Sequence, residues 1–373
     1  MGTASSAHTE IPGNRTDHCG VPGLERATLV PATVSHDSRE LQASSRLHII
    51  TTASSNGQEV PTVCWKNLIT SNLTSKGLSS DSVSLVMGSL RTSTHKQYSC
   101  YISKFMDFCS SSNISVSGCT EHVLINFLQS LYDNGVGYSA VNTASSAVKS
   151  FLEMAGVELG PTPVLNRFKR GIFNSRPSLP RHVTIWDPQI VLDYFCANMN
   201  NTELAYLTTK CATLFALVSY QRVSTLQSLC VSDVKVLDDK LVVHFASLMK
   251  QSRPGSHLSG LEFLRFPDKT LCIVETMSKY LSMTQPMRQS DKSLVSLFIT
   301  HGKPYKNASK DTVARWIKST LHKAGVPAEF TAHSTRSAST SADVRRGIDI
   351  SAILNKAGWS RACTFHKFYN KPL

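Results

Sequence analysis

From Thr92 onward the apolar residues of this chain recur at helical spacing in one block after another, and that period limits the fold more than any other feature. Tyr98, Tyr101, Ile102, Phe105, Met106 and Phe108 lie on one stripe, with Thr92-Ser93-Thr94 ahead of it as a candidate N-cap. A second stripe begins at Thr120 and carries Val123, Leu124, Phe127, Leu128 and Leu131. A third begins at Ser139 and carries Val141, Ala144, Val148, Phe151, Leu152 and Met154. Turn residues such as Asp133-Asn134-Gly135 separate them. Residues 81–175 are therefore expected to form a small all-helical domain. Residues 1–80 contain 22 Ser or Thr, the pairs Pro12-Gly13 and Pro22-Gly23, and no sustained helical period, which predicts a flexible tail.

Beyond Val183 the periods mix. Helical spacing runs over 187–199 and 203–220, and two strand-like runs, Lys240–Ala246 and Leu261–Phe266, flank a loop containing Arg253-Pro254-Gly255, which predicts a hairpin with a basic tip. Helices follow over Leu271–Thr284, Ser309–Ala324 (capped by Ser309), His333–Arg346 and Asp349–Ala357, with a short one ending at Tyr369. The expected fold class is mainly α with a small β-hairpin or sheet (α+β), in two domains: helical residues 81–175 and mixed residues 183–373. Between them, residues 176–182 hold two prolines and the cations Arg176 and Arg181, which suits an extended strap facing phosphates.

Charge indicates the partner. The chain has 39 Lys or Arg against 26 Asp or Glu, a net +13, while residues 1–80 hold six of each sign. The whole excess therefore lies in residues 81–373, and an excess of that size predicts a polyanion as partner. Lys96, Arg167, Lys169, Arg170, Arg176, Arg181 and Arg253 are the candidate phosphate contacts. An anionic membrane surface fits charge alone equally well, but no span is expected, because the longest uncharged apolar stretch, Cys211–Tyr220, is half the roughly 20 residues a bilayer requires. The ten cysteines include no C-x-x-C pair and read as reduced residues of an intracellular protein. There is no phosphate-binding loop of the G-x-x-x-x-G-K-S/T kind. Cys363 and His366 alone are too few to hold zinc, so neither a metal nor another cofactor is expected, nor a small-molecule substrate.

The chemistry lies near the C-terminus. In His333-Ser334-Thr335-Arg336 an imidazole and a guanidinium are i and i+3, neighbours on one helical face. By itself this pattern is usually a solvated surface. Here Gly358-Trp359 follows, and Tyr369 stands 369 − 359 = 10 residues beyond the tryptophan.

This arrangement resembles the tyrosine recombinase, or phage integrase, family: a distal H-x-x-R, a Gly followed by His or Trp, and a nucleophilic tyrosine about that far downstream. Arg222, in Ser219-Tyr220-Gln221-Arg222, sits where the family has its first catalytic arginine, and Lys250 where it has a lysine on the hairpin loop. Lys250-Gln251-Ser252-Arg253-Pro254-Gly255, Arg315-Trp316-Ile317-Lys318, His333-Ser334-Thr335-Arg336-Ser337-Ala338 and Thr364-Phe365 with Phe368-Tyr369 look like the eukaryotic branch carried by DIRS-type retrotransposons. The likeness covers about residues 82–373, with the helical domain similar to the family's core-binding domain. Two features depart from the pattern. An acidic residue is usual three positions after the first arginine, where this chain has Thr225, and the family commonly continues past the tyrosine with a segment that packs on a neighbouring subunit, whereas only four residues follow here.

The resemblance implies a DNA recombinase from a mobile element, acting in the nucleus as a dimer or tetramer on duplex DNA held between its two domains. Tyr369 would attack a scissile phosphate and store the bond as a 3′-phosphotyrosine. Arg222 and Arg336 would clamp the non-bridging oxygens, Lys250 would protonate the departing 5′ oxygen, His333 would assist proton transfer and Trp359 would position the phosphate. Each residue also has a bland alternative: a dipole-balancing cation at a helix C-terminus for Arg222, a solvated loop cation for Lys250 with Lys240 and Arg253 as competitors, core packing for Trp359 and Trp316, terminal docking for Tyr369. Two other readings of the same fold are a catalytically inactive, mobile-element-derived DNA-binding protein and a single-subunit topoisomerase.

Overall fold

The computed structural model describes residues 65–178, 182–250, 252–255, 257–258 and 260–373. Fourteen α-helices and one three-stranded sheet are found among them. The chain divides into two compact units between Leu179 and Pro180.

The first unit is helical: α1 (Trp65–Ser75), α2 (Ser80–Met87), α3 (Thr92–Ser111), α4 (Glu121–Asp133), α5 (Tyr138–Met154) and α6 (Pro163–Ser175). The stripes converge as their spacing requires. Ile102, Phe105 and Cys109 of α3 meet Leu124, Phe127 and Leu128 of α4 and Val148, Phe151 and Leu152 of α5 in one core, with Phe105 and Phe127 edge to face at 5.2 Å. Thr120 caps α4 by accepting from the Val123 N–H, whereas α3 begins at Thr92 itself, behind Arg91, with no side-chain cap. Glu121 ties α4 to α6 by accepting from the Leu165 N–H at 2.8 Å.

The expectation of a tail up to residue 80 fails over its last part. Residues Trp65–Ser75 are helical, Ile69 is fully buried in the core, and Asn72 donates to the Met154 carbonyl at 2.8 Å. Trp65, Leu68, Ile69 and Leu73 do form a stripe, obscured in the sequence by the Ser, Thr and Asn between them. The rest of that expectation, residues 1–64, lies outside the described residues.

In the second unit, α7 (Gln189–Ala197), α8 (Leu204–Ser219) and α9 (Val223–Ser228) precede strands β1 (Val234–Val236), β2 (Lys240–Val243) and β3 (Leu261–Leu264). Helices α10 (Ile273–Ser290), α11 (Lys310–Lys323), α12 (Ser334–Arg345), α13 (Ile350–Ala357) and α14 (Ala362–Phe368) follow. Helix α8 is apolar almost all round and buried along most of its length, so it forms the centre against which α10, α11 and α12 pack. The expected hairpin is the antiparallel pair β2–β3, with Leu241 opposite Phe263, and β1 adds a third strand on the far side of β2. Leu241, Val243, Leu261 and Phe263 point inward, while Lys240 and Glu262 pair at 3.0 Å on the outer face. Helix α10 outruns its expected end at Thr284 by passing through Pro286. Gln285 and Pro286 face solvent, so water can serve the carbonyl that proline leaves without a donor. No helix among the described residues is long and apolar enough to cross a membrane.

Candidate active site

Helix α8 stops at Ser219 because Tyr220 turns left-handed (φ +55°). The Ser219 hydroxyl accepts from the Gln221 N–H at 3.2 Å, and Arg222 then leads into α9. This corrects the expectation that Arg222 ends the long helix. The half-buried guanidinium belongs to the N-terminal end of α9, where the dipole favours an anion, so the dipole-balancing explanation no longer applies.

Lys250 is exposed on the β2–β3 connection. A staple just beyond it holds that loop: the Ser252 Oγ accepts from the Met249 N–H at 2.9 Å and contacts His257 Nδ1 at 2.7 Å, while His257 Nε2 lies 2.7 Å from the Phe245 carbonyl. A carbonyl only accepts, so Nε2 carries the ring proton and Nδ1 accepts from the serine. Lys240, the competing lysine, is engaged with Glu262 on the outer face of the sheet. Arg253 is exposed on the same connection as Lys250.

Helix α12 carries the distal pair. His333 stands at its N-cap and Arg336 is fully buried, its Nη1 donating to the Tyr220 carbonyl at 2.7 Å and its Nη2 to the Ala357 carbonyl at 2.8 Å. The guanidinium lies 4.1 Å from the Trp359 ring and 5.5 Å from the Tyr369 ring. Trp359 follows Gly358, whose left-handed φ of +69° closes α13 and is one that only glycine adopts without strain. Tyr369 caps α14. Its ring is 4.6 Å from Trp359, its hydroxyl is 3.4 Å from His333 Nε2, and its carbonyl accepts from the hydroxyls of Ser337 (2.8 Å) and Ser341 (2.7 Å).

Electrostatics tie the remaining two cations to this cluster. Burial, then the charges of Arg336, Arg222 and Lys250, hold the His333 imidazole well below its usual range. The ring keeps an exposed edge, where water screens part of that field. Burial, and after it the charge of Arg222, pushes Arg336 down to about 9, with Tyr369 acting in the opposite sense. The surroundings of the imidazole therefore favour its neutral form. Two buried donors in it, Arg336 Nε and Trp359 Nε1, have no hydrogen-bond partner among the described residues.

Four of the six residues singled out for catalysis, His333, Arg336, Trp359 and Tyr369, thus come into contact, and the charges of Arg222 and Lys250 are felt at the same imidazole. Sequence reasoning missed Tyr220, whose carbonyl orients Arg336, and the Ser337/Ser341 pair that holds Tyr369. The serine pair had a signal, since two hydroxyls at i and i+4 on the H-x-x-R helix share a face.

Residues 191–372 match the sequence profile of the phage integrase family. The second unit carries a phage integrase family domain. No curated protein matches the sequence. Among solved structures, the XerH site-specific recombinase bound to palindromic difH substrate in a post-cleavage complex is 12% identical, with a TM-score of 0.54 over 82% of this chain and 92% of that one. The Tn1549 transposon integrase in complex with transposon right end DNA is also 12% identical, with a TM-score of 0.53 over 82% and 95%. At that identity the likeness is one of fold: the integrase domain has the tyrosine recombinase catalytic fold.

Of the candidate phosphate contacts, Lys96 on α3 and Arg167 and Arg170 on α6 are exposed, the last two being i and i+3 on one face. Lys169 is half-buried. Arg176 is engaged within its own unit, lying over the Tyr132 ring at 3.9 Å and donating to the Tyr132 carbonyl at 2.9 Å. Arg181 lies outside the described residues.

Proposed function

We propose that the chain is a site-specific DNA recombinase that cuts and rejoins duplex DNA through a 3′-phosphotyrosyl intermediate. The observation that carries this reading is the position of the Tyr369 hydroxyl, 3.4 Å from the His333 imidazole and packed against the ring that Arg336 covers. Tyr369 Oη attacks the scissile phosphorus and the bond to the 5′ oxygen breaks. His333 accepts or relays the phenolic proton, and Lys250 supplies one to the departing oxygen. Arg222 and Arg336 neutralise charge growing on the non-bridging oxygens, and Trp359 Nε1, a buried donor with no partner in the described structure, offers one of them a further hydrogen bond. Religation runs the same steps backward, with a free 5′ hydroxyl displacing the tyrosine. The energy of the broken bond is kept in the phosphotyrosine, so these residues complete the exchange by themselves.

Lys96, Arg167, Lys169, Arg170, Arg176, Arg181 and Arg253 would bind the duplex through its phosphates, which gives affinity with a steep salt dependence and no base preference. Pairing two DNA sites requires more than one copy, hence a dimer or tetramer on DNA. The resemblance to DIRS-type elements supports a mobile-element origin and action on nuclear DNA. A second reading, a DNA-binding protein without catalysis, draws on the Arg336 fork, both of whose Nη groups are on main-chain carbonyls.

A nicked suicide substrate decides between them, because loss of the short 5′ fragment traps any covalent adduct. The wild-type chain is expected to form a denaturant-stable protein–DNA adduct, and Tyr369→Phe none, at unchanged duplex affinity. An adduct surviving in the Phe variant would remove Tyr369 as nucleophile, and no adduct from wild type would favour the second reading.

A further inference from the structure

Arg336 and Asp343 stand seven residues apart on α12, two turns along the same helix face, and one residue bridges them. The Tyr220 carbonyl accepts from Arg336 Nη1 at 2.7 Å, while the Tyr220 hydroxyl donates to the Asp343 carboxylate. This tyrosine is left-handed at φ +55°, a conformation an L side chain adopts at a cost and holds only when its surroundings fix it. The surroundings here do so. Tyr220 is buried, Lys356 Nζ lies 4.5 Å from its ring, and the next residue, Gln221, donates to the Lys356 carbonyl at 2.7 Å. The adjoining Ala357 carbonyl takes the other arm of the Arg336 fork. Arg346 also contacts that carboxylate at 3.4 Å, and the charge of Lys356 acts on it as well.

We propose that Tyr220 and Asp343 are positioning residues for the transesterification. Their hydrogen bond pins the left-handed turn, the pinned carbonyl sets the plane of the Arg336 guanidinium, and the same turn fixes where Arg222 emerges two residues later. The inference rests on the recombinase reading above. It places the control of the arginine clamp in a Tyr–Asp contact outside the six residues assigned to the chemistry.

The test uses the full chain on a nicked suicide substrate. Tyr220→Phe and Asp343→Ala should slow cleavage at saturating DNA about tenfold or more while leaving the Kd for duplex within about twofold. Asp343→Asn keeps an oxygen that accepts the phenol hydrogen bond and should retain most of the rate. A second substrate carries a methylphosphonate at the scissile position, where a neutral methyl replaces one charged oxygen and less charge remains for the arginines to neutralise. If Tyr220 acts through Arg336, the deficit of Tyr220→Phe shrinks on this substrate. A variant that is merely less well folded loses the same factor on both, and that result overturns the proposal. So does wild-type cleavage by Tyr220→Phe in a preparation where the wild-type chain forms adduct. Should the wild-type chain form no adduct, the recombinase reading falls. The structural core of the inference is then decided by thermal melting of Tyr220→Phe, Arg336→Lys and the double variant: non-additive losses support the clasp, and additive losses refute it.

Discussion

Replacing Arg336 by lysine keeps the charge and removes the fork, and the structure says what that should cost. The guanidinium holds two buried carbonyls, those of Tyr220 and Ala357, at 2.7 and 2.8 Å and lies 4.1 Å from the Trp359 ring. An ammonium on a flexible stem reaches one of those carbonyls at best. The other is left short of a donor in a buried site, worth about 1–3 kcal/mol, and the lost stacking on tryptophan adds about 0.5–2 kcal/mol. Together these come to roughly 1.5–5 kcal/mol, which in a unit of this size lowers the melting temperature by about 3–20 °C. Cleavage should fall further than stability, about a hundredfold or more, since the planar contact to two oxygens is lost as well. Differential scanning calorimetry with the suicide-substrate assay below the lowered melting point separates the two losses. A variant that melts with wild type would refute the assignment of the carbonyl contacts. One that melts early but cleaves normally would make Arg336 a strut and not a clamp.

The remaining expectations concern the general acid, the imidazole and the N-terminal helix. Lys250→Ala should cleave ordinary DNA slowly and be largely rescued by a 5′-phosphorothiolate, whose sulfur leaves without a proton; rescue of Lys240→Ala or Arg253→Ala instead would place the acid elsewhere on the hairpin. Because the folded imidazole of His333 sits below the free value of about 6.5, the unfolded chain binds that proton more readily. Its contribution to stability is thus complete above pH 6.5 and lost as pH falls toward about 4. The melting temperatures of wild type and His333→Gln should converge over that window on acidification, and parallel curves would deny the shift. Ile69→Ala should destabilise the helical unit by about 2–4 kcal/mol in urea, against no more than about 0.5 kcal/mol for exposed Leu85→Ala; equal effects would mean that α1 is not part of the core.

Much of this architecture could be read from the sequence because its signals are local. The α3, α4 and α5 stripes repeat every three or four residues, and the H-x-x-R pair and the Gly-Trp before Tyr369 fall within forty residues of one another. What escaped reading has identifiable causes. Three-residue β1 is too short to show alternation, and α1 carries its apolar stripe through a polar background. The end of α8 depended on Tyr220 entering a left-handed turn, which an aromatic residue does only under tertiary constraint, and that constraint comes from Asp343, far along the chain. The same non-locality hid the fork geometry of Arg336, since main-chain carbonyls carry no mark in a sequence.

The two serine hydroxyls on the Tyr369 carbonyl have a mechanical consequence. Ser337 and Ser341 lie on α12, the helix that also bears Arg336 and begins at His333. Tyr369, His333 and Arg336, the proposed attacker, proton acceptor and oxygen clamp, are thereby fastened to a single rod. When that rod tilts or slides, the three groups travel together, and the spacing among them is insulated from flexing elsewhere. Reaction rates are sensitive to displacements of an ångström, so under the proposed function this shared mounting would keep the three groups in register while other elements of the unit move.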